Sequence, residues 1–331
     1  MSNQIKKILR MIRRIGIACA AVVFFLLLLG AMYQSGSMFM DSRKFPPPGE
    51  MVDIGGHSLH MITTGDGPYT IVLEAGSGGT SLDWSRVQPE LSEFARVFSY
   101  DRAGMGWSEP GTEPRTSQQI ATDLHALLSK SNVEPPYILV GHSFGGLNVR
   151  MFAAEYPDEV AGLVLIDSIH EDFFERMPEG TREGTAAQLK MLSMGHTFSF
   201  TGIPRIFFPP LATQGLPPET QAAVNALGFH PKTYKTIYEE ATVFEDSANQ
   251  VRHDTRFDQD LPLLVLSRSV SEQWPANANP EKIWSELQTD LTKISNNSKQ
   301  IVVEDCGHYI HIEKPAIVVQ AIKDFIEKID H

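Results

Sequence analysis

One short turn constrains the fold of this chain more than any other segment. The sequence GHSFGG at residues 141–146 follows the apolar run Tyr137–Val140 directly and precedes a helical pattern that extends to Glu155. A G-x-S-x-G sequence between a strand and a helix predicts a tight turn with Ser143 in strained backbone angles, because side chains at 141 and 145 would collide with nearby backbone. The turn raises the serine hydroxyl above the end of a buried strand, at a helix N-terminus that favours negative charge.

Short apolar runs alternate with helical patterns through much of the chain. This alternation is typical of an α/β fold with a mostly parallel sheet and helices on both faces. An early segment at 57–63 alternates apolar and polar residues and predicts a half-exposed antiparallel strand. Buried strands are predicted at Tyr69–Glu74, Arg96–Tyr100, Tyr137–Val140, Gly162–Ile166, Pro262–Leu266 and Gln300–Val303. Helices are predicted at Ser117–Lys130, Phe144–Glu155, Pro280–Ser295 and Lys314–Ile329.

The regular spacing breaks after Ile166, where about ninety residues separate two predicted strands. A structureless connection of that length is uncommon in a compact domain. The segment therefore predicts an inserted, largely helical cap at about residues 170–258. We expect most of its aromatic residues to form the cap's own core and some to face the strand ends, where ligands bind in open α/β sheets. These aromatic residues include Phe173, Phe174, Phe198, Phe200, Phe207 and Phe208.

The first 45 residues differ in composition from the remainder. They carry seven Lys and Arg residues against Asp41 alone, a net charge of +6, whereas the remainder carries −18. The run Ile15–Met32 has no charged residue, which is near the minimum length for a transmembrane helix. We expect an anchor at about 15–33, a linker that ends near 45, and a catalytic domain at 46–331 that begins with the stiff, proline-rich sequence PPPG.

The orientation of this anchor follows from its flanking charges. Five basic residues precede the apolar run, so the positive-inside rule predicts a cytoplasmic N-terminus and an extracytoplasmic catalytic domain in a single-pass membrane protein. The alternative is a signal peptide that is cleaved near the small residues Ser35-Gly36-Ser37, after which the domain would be secreted. The apolar run is long for a signal peptide, which favours the anchor.

Composition also restricts the partners. An acidic domain argues against nucleic acid as a partner, because phosphate binding needs a basic surface. Cys19 and Cys306 are the two cysteines and cannot build a disulfide framework. The pair His308 and His311 lacks the further ligands that a zinc site needs, so we expect no metal. The oligomeric state is open.

A serine hydroxyl needs a general base, and the position of His308 selects it from eleven histidines. His308 lies in the sequence DCGHY, between the last predicted strand and the last helix, on the sheet edge where Ser143 emerges. His311 is expected to point elsewhere and to support the site or contact the cap. His142 is expected to point away from the substrate.

The base needs an orienting carboxylate, for which the sequence offers two candidates. Asp167 ends a predicted strand at the same sheet edge, whereas Glu272 follows the next strand by several residues. The short, defined distance between Asp167 and its strand end favours Asp167 as the acid, with Glu272 as the alternative. The alternative is that Asp167 has a purely structural role, as a helix N-cap or a turn residue at the start of the cap.

An oxyanion hole completes such a site. The glycine-rich sequence LEAGSGG at 73–79 follows a predicted strand, and the backbone N–H groups of Ser77 and Phe144 are the candidate donors. A phosphate-binding interpretation of this loop is weak, because neither a P-loop sequence nor an acidic ribose ligand follows.

Five segments occur in an order that resembles the α/β-hydrolase superfamily: EAGSGG, YDRAGMGWS, VGHSFGGLNVRMFAAEYP, GLVLIDS and CGHYIHIEKP. The sequence is most similar to bacterial members with an N-terminal hydrophobic segment, over roughly residues 46–331. The resemblance implies an eight-stranded sheet and esterase, lipase or related acyl-hydrolase activity without a cofactor. The chain departs from the family in two places. It has Ala75-Gly76 where His-Gly is customary, and the acid that usually follows the strand Pro262–Leu266 is not in its usual form.

The residues predict a serine hydrolase that cleaves a carboxylic ester or related acyl bond in a small-molecule or lipid-like substrate. A serine at position 143 makes the epoxide-hydrolase and haloalkane-dehalogenase branches improbable, because those branches use an aspartate. Peptidase, acyltransferase and carbon–carbon hydrolase activities stay open, since the fold does not choose among them. A ligand-binding protein that keeps the pocket without catalysis is the second hypothesis.

Overall fold

The computed structural model describes residues 3–254, 258–269 and 280–329. A long helix, α1 (Asn3–Lys44), precedes the sheet. The apolar run therefore forms the middle of one continuous helix, which extends eleven residues past the end of the predicted anchor to Lys44. Within the described part of the chain, α1 alone has the length and composition to span a membrane, and the apolar run contacts the rest of the protein little.

Eight strands form one sheet in the order β1-β2-β4-β3-β5-β6-β7-β8. Strands β1 and β2 are antiparallel to their neighbours, and the other six are parallel to one another. The predicted fold class is confirmed. The strands are β1 (Glu50–Asp53), β2 (Ser58–Thr64), β3 (Thr70–Glu74), β4 (Arg96–Tyr100), β5 (Tyr137–His142), β6 (Val160–Ile166), β7 (Leu263–Arg268) and β8 (Ser298–Val303).

Apolar residues cover both faces of the sheet because neighbouring strand residues point in opposite directions. Val72 and Leu139 belong to one buried cluster, while Ile71 and Ile138 belong to the cluster on the other face. The α-helices after α1 connect the strands or follow the last one. They are α2 (Gln88–Leu91), α3 (Ser117–Lys130), α4 (Gly145–Glu155), α5 (Phe173–Arg176), α6 (Glu179–Phe198), α7 (Ile203–Phe207), α8 (Pro218–Leu227), α9 (Pro231–Thr242), α10 (Phe244–Asp254), α11 (Pro280–Leu291), α12 (Ile310–Glu313) and α13 (Pro315–Ile329).

Helices α5 to α10 lie between β6 and β7, where the sequence predicts a helical cap. The expectation for the cap aromatics was wrong for four of them. Phe198, Phe200, Phe207 and Phe208 are exposed, because they lie on the outer side of α6 and α7 and the loops that flank them. Phe173 and Phe174 are partly buried and contact each other edge to face.

Candidate active site

The turn after β5 has the strained geometry that the sequence predicts. Ser143 has a positive φ of 52°, and its N–H donates to the carbonyl of Ile166 at 3.2 Å. A Cβ at Gly141 would lie 2.7 Å from the carbonyl oxygen of Gly145, and one at Gly145 would lie 2.5 Å from that of Glu74. Both distances are shorter than real contacts, so only glycine fits at either position.

Asp167 and His308 meet at the carboxyl edge of the sheet. Asp167 follows β6 with a φ of 41°, and its Oδ2 lies 2.6 Å from Nδ1 of His308. The carboxylate is fully buried, whereas the imidazole is 32% exposed. Because an ionised carboxylate only accepts hydrogen bonds, Nδ1 of His308 carries the proton and Nε2 is left with a free lone pair.

Two further groups hold the Asp167 carboxylate. Trp284 donates its indole N–H to Oδ1 at 2.9 Å, and the backbone N–H of Arg268 donates to the same oxygen at 3.2 Å. The Arg268 guanidinium forms an ion pair with Oδ2. Burial raises the pKa of Asp167, but the hydrogen bond with His308 and the charge of Arg268 outweigh it, so the net pKa is lowered. The carboxylate therefore stays ionised at neutral pH.

The charge of Arg268 is itself balanced by a second acid. Glu281 on α11 accepts from the guanidinium through both carboxylate oxygens, each at 3.2 Å. The guanidinium also lies 4.8 Å from the centre of the Trp284 ring. With His308 protonated, the two acids and two bases of this cluster sum to zero charge, so a transient imidazolium is compensated.

His142 links the turn to the loop of the base. Its Nε2 lies 3.0 Å from the backbone carbonyl of His308, which only accepts, so Nε2 carries the proton. Burial lowers the pKa of His142, and burial lowers that of His311 to about 3. The His311 ring packs between His142 and Trp84, at 4.5 Å from each. Both histidines are therefore neutral and structural.

The structure brings Asp167 and His308 into direct contact, at the edge of the sheet where the turn with Ser143 also lies. Ser143 is bonded through its N–H to the residue before Asp167, and its neighbour His142 is bonded to His308. The described hydrogen bonds include none between the serine hydroxyl and the imidazole. Such bonds are often long until substrate binds, so this geometry is compatible with a nucleophile and its base.

The candidate oxyanion loop lies against the turn. A Cβ at Gly76 would lie 3.1 Å from the Ser143 Cβ, so the absence of a side chain permits this close approach. In the part of the chain that the structure describes, the N–H groups of Ser77 and Phe144 donate to no protein acceptor. They are therefore available to a substrate oxygen.

Arg102 holds this loop and was not identified from the sequence. Its guanidinium donates to the carbonyls of Ala75 at 2.6 Å and Gly76 at 2.8 Å. In a trans peptide the N–H points opposite to the C=O, so the bond to Gly76 turns the N–H of Ser77 away from Arg102. The guanidinium also lies 5.8 Å from the centre of the Phe144 ring, and so approaches one candidate donor residue and the peptide group that precedes the other.

Arg102 is buried and paired with acids from two parts of the fold. Glu74 at the end of β3 accepts at 2.9 Å, and Glu240 from α9 of the cap accepts at 2.7 Å. These charges raise the pKa of Arg102 although its burial opposes them, and burial raises the pKa of Glu74. Arg102 lies within the segment YDRAGMGWS, but its pairing with Glu240, 138 residues away, has no sequence signal.

Three features that the sequence raised lie outside the groups described above: the alternative acid, the second cysteine and a possible metal site. Glu272, the alternative acid, lies outside the described residues. Burial raises the pKa of the Cys306 thiol to about 11, so this residue is a thiol at neutral pH. The described residues contain no group of three or more side chains arranged to hold a metal ion.

The comparison with protein families agrees with this architecture. A family model described as the alpha/beta hydrolase fold matches residues 69–187, which include β3, the GHSFGG turn and β6. The chain belongs to the α/β-hydrolase superfamily. The solved structure of a mutant candidate epoxide hydrolase from Pseudomonas aeruginosa has the same fold, with a TM-score of 0.68 and 17% identity over 85% of this chain and 95% of that one.

Curated relatives of this chain are distant and carry different descriptions. The "Probable transporter efuK" of Hormonema carpetanum is 27% identical over 84% of this chain, which spans only 42% of that protein's length. Protein YqjL of Bacillus subtilis is 27% identical over 81% of this chain and 87% of its own length. Proline iminopeptidase PfmaB of Pestalotiopsis fici is 23% identical over 84% of this chain and 99% of its own length.

Proposed function

We propose that this α/β hydrolase cleaves a carboxylic ester, or a related acyl bond, through an acyl-enzyme formed on Ser143. The observation that carries the proposal is the 2.6 Å contact between Asp167 and His308, beside a serine at a φ of 52°. A buried carboxylate that orients an imidazole next to a serine on a strained turn is the arrangement that serine hydrolases need.

Each step uses groups whose protonation follows from their contacts. Nε2 of His308 removes the Ser143 proton while Oγ attacks the carbonyl carbon, and the electron pair of the C=O bond moves to oxygen. The N–H groups of Ser77 and Phe144 hold this oxyanion. When the C=O re-forms, the bond from the carbonyl carbon to the leaving oxygen breaks, and the imidazolium gives its proton to that oxygen, which releases a neutral alcohol and a neutral His308. Water, deprotonated by the same Nε2, then attacks the acyl-enzyme and releases the acid.

A fluorophosphonate probe tests the nucleophile directly. We expect the wild-type chain to be labelled at Ser143 and Ser143→Ala to be unlabelled. Ser77→Ala is the matched control, because it removes a hydroxyl at the same site but keeps the backbone N–H, and it should be labelled normally. An unlabelled wild-type protein that nevertheless binds esters without turnover would favour the non-catalytic hypothesis.

The similarity to an iminopeptidase makes peptidase activity the second candidate. Turnover of p-nitrophenyl acetate and of proline p-nitroanilide by the same preparation separates the two. We expect a kcat/KM at least tenfold higher for the ester. The reverse preference would assign the site to peptide substrates, with the same nucleophile.

The proposed localisation is a single-pass membrane protein with a retained anchor. The contacts of α1 with the cap support retention: Gln34 donates to the carbonyl of Phe229 at 2.8 Å, and Asp41 pairs with Arg205 at 2.7 Å. Cleavage near residues 35–37 would remove Gln34 from this interface. Alkaline phosphatase fused after residue 331 should be active if the domain is extracytoplasmic, and N-terminal sequencing should find residues before 35.

A further inference from the structure

The outer surface of the cap carries an unusually apolar segment. From Met191 to Pro210 the sequence contains one Lys, Arg, Asp or Glu, which is Arg205. Seven large apolar side chains of this segment face solvent, with exposed fractions from 43% for Phe198 to 71% for Phe207. Apolar patches of this kind mark contact with a partner or a membrane. The patch consists of Met191, Met194, Phe198, Phe200, Ile206, Phe207 and Phe208.

The position of this cap patch relative to α1 indicates that the patch contacts a membrane and not a protein partner. A Cβ at Gly30 would lie 2.1 Å from the carbonyl oxygen of Thr201, and one at Gly202 would lie 2.9 Å from the carbonyl oxygen of Gly30. The backbones of α1 and the cap therefore touch in the middle of the patch segment, between Phe200 and Ile206. Gly30 lies two residues, or about 3 Å along the helix, before the end of the apolar run.

The depth of the patch follows from this contact. An 18-residue run spans about 27 Å, close to the thickness of the bilayer's hydrocarbon core of about 30 Å. A cap segment that touches α1 at Gly30 therefore lies at the boundary between acyl chains and headgroups. Tyr33, which is half exposed on α1, is of the type that is enriched at this boundary.

The polar contacts between α1 and the cap lie farther along the helix, on the side away from the apolar run. The Arg205 side chain extends from the cap segment to Gln34 at 3.1 Å and to Asp41 at 2.7 Å. Asp41 is eleven residues, or about 16 Å, beyond Gly30. The single charge of the segment is thus drawn toward water while its aromatic residues stay at the level of the membrane.

The patch also contributes to the lining of an apolar cavity. The cavity of about 590 Å³ lies between α6, α7 and α9, and four of its lining residues belong to the cap patch. Cavities of a few hundred cubic ångströms suit small or medium ligands. The four shared residues are Met191, Met194, Phe198 and Phe208.

One helix connects this cavity with the catalytic edge of the sheet. Tyr234 on α9 lines the cavity, and Ile237, one turn later on the same helix, lies 3.2 Å from the Cβ position of Gly78. Gly78 follows the candidate oxyanion donor Ser77. A ligand in the cavity is therefore about one helical turn from the loop that would bind the reacting carbonyl.

We propose that the cap patch lies in the membrane that holds α1, and that the cavity behind it receives the acyl chain of a membrane lipid ester. The inference rests on the proposed anchor and on the proposed hydrolysis at Ser143. It narrows the substrate to an ester that enters from the bilayer, with the apolar chain among the cap helices.

Nitroxide labels test the membrane contact in the full-length chain with Cys19→Ala and Cys306→Ala, reconstituted into phosphatidylcholine and phosphatidylglycerol vesicles. A label at Phe207→Cys should be more accessible to oxygen than to a water-soluble nickel complex. Phe24→Cys in α1 should behave likewise, and the exposed Val302→Cys on β8 should show the reverse. If 207 resembles 302 while 24 lies in lipid, the cap proposal is overturned. A water-exposed label at 24 overturns the anchor and the inference together.

Kinetics test the cavity with the same vesicles. Phe207→Asp and Ala187→Trp, the latter at the cavity wall, should each lower turnover of a vesicle-embedded p-nitrophenyl palmitate at least tenfold. Turnover of soluble p-nitrophenyl acetate should stay within twofold of wild type, as should both activities of the control Val302→Asp. Equal losses on both esters, or none on either, contradict the proposal. Absence of acetate turnover in the wild type contradicts the hydrolase function instead.

Discussion

The charged side chains around Ser143 are largely buried against opposite charges, whereas the cap patch exposes aromatic rings in a segment, Met191–Pro210, with one charged residue. At the sheet edge, Arg102 lies between Glu74 and Glu240, and Arg268 lies between Asp167 and Glu281. These pairs fix loops in place, because breaking one would leave a buried charge without compensation. Among the described residues, the rings of the cap patch have no stacking partner. Under the two proposals above, the first region performs the chemistry and the second admits the substrate.

The largest effect is expected at the base. Asp167→Asn keeps the shape of the side chain but removes the charge that stabilises the His308 imidazolium, so kcat for p-nitrophenyl acetate should fall about 10⁴-fold, as in serine proteases. Asp290→Asn, at a partly exposed ion pair with Arg176, is the control and should keep full activity. A loss below tenfold for Asp167→Asn would remove this residue from the proposed triad and direct the search to Glu272.

The next effect is expected where the cap meets the oxyanion loop. Arg102→Lys replaces a planar group that reaches Glu74, Glu240 and two carbonyls with a single ammonium, which cannot reproduce this pattern. Misdirection of one oxyanion donor should lower kcat about 10²-fold, with a smaller change in KM. Arg96→Lys, at a surface pair with Asp66, should change neither parameter. If Arg102→Lys raised KM about 10²-fold and left kcat unchanged, Arg102 would not orient the oxyanion donors.

A pH dependence of the free energy of unfolding is expected where Asp83 contacts Thr213 of the cap. Burial raises the pKa of Asp83 to about 6, and the carboxylate accepts from Thr213 of the cap at 2.6 Å. Because the folded state holds this proton more tightly than the unfolded state, Asp83 lowers stability as pH rises from about 4 to 6. Asp83→Asn removes the titration, so its free energy of unfolding relative to wild type should increase by up to about 3 kcal/mol over that range.

Urea unfolding in detergent at pH 4, 5, 6 and 7.5 measures this difference. Asp66→Asn, an exposed aspartate paired with Arg96, serves as the comparison and should give a difference that varies little with pH. A constant difference for Asp83→Asn would show that the carboxyl group does not titrate in this range.

The smallest effect is expected from the indole that supports Asp167. Trp284→Phe keeps an aromatic ring beside Arg268 but removes the N–H that donates to the carboxylate at 2.9 Å. A hydrogen bond to a charged group contributes about 1.5–3 kcal/mol, but two donors from Arg268 and one from His308 remain. We expect a threefold to tenfold fall in kcat, with the acidic limb of the pH–rate profile moved upward. An unchanged profile would make Trp284 a packing residue.

The sequence determined the local elements of the fold. Alternation and apolar runs predicted the strands from β2 to β8, and the GHSFGG turn predicted the strained angles of Ser143, because these features depend on neighbours along the chain. Strand β1 was missed, since its four residues are polar or largely exposed and carry no buried pattern. The end of α1 was also missed. Its continuation to Lys44 depends on contacts of Gln34 and Asp41 with the cap.

The tertiary structure decided which distant groups meet. The sequence placed Asp167, His308 and Ser143 at one edge of the sheet, and the assignment of their roles stays a prediction. It could not pair Arg102 with Glu240 or Arg268 with Asp167, nor show that the cap aromatics face outward beside Gly30. The physical reason is that the periodicity of a sequence shows which face of a helix or strand is apolar, but not which other element packs against that face. The partner of a buried charge, and the surroundings of an exposed ring, are fixed only when separate elements pack together.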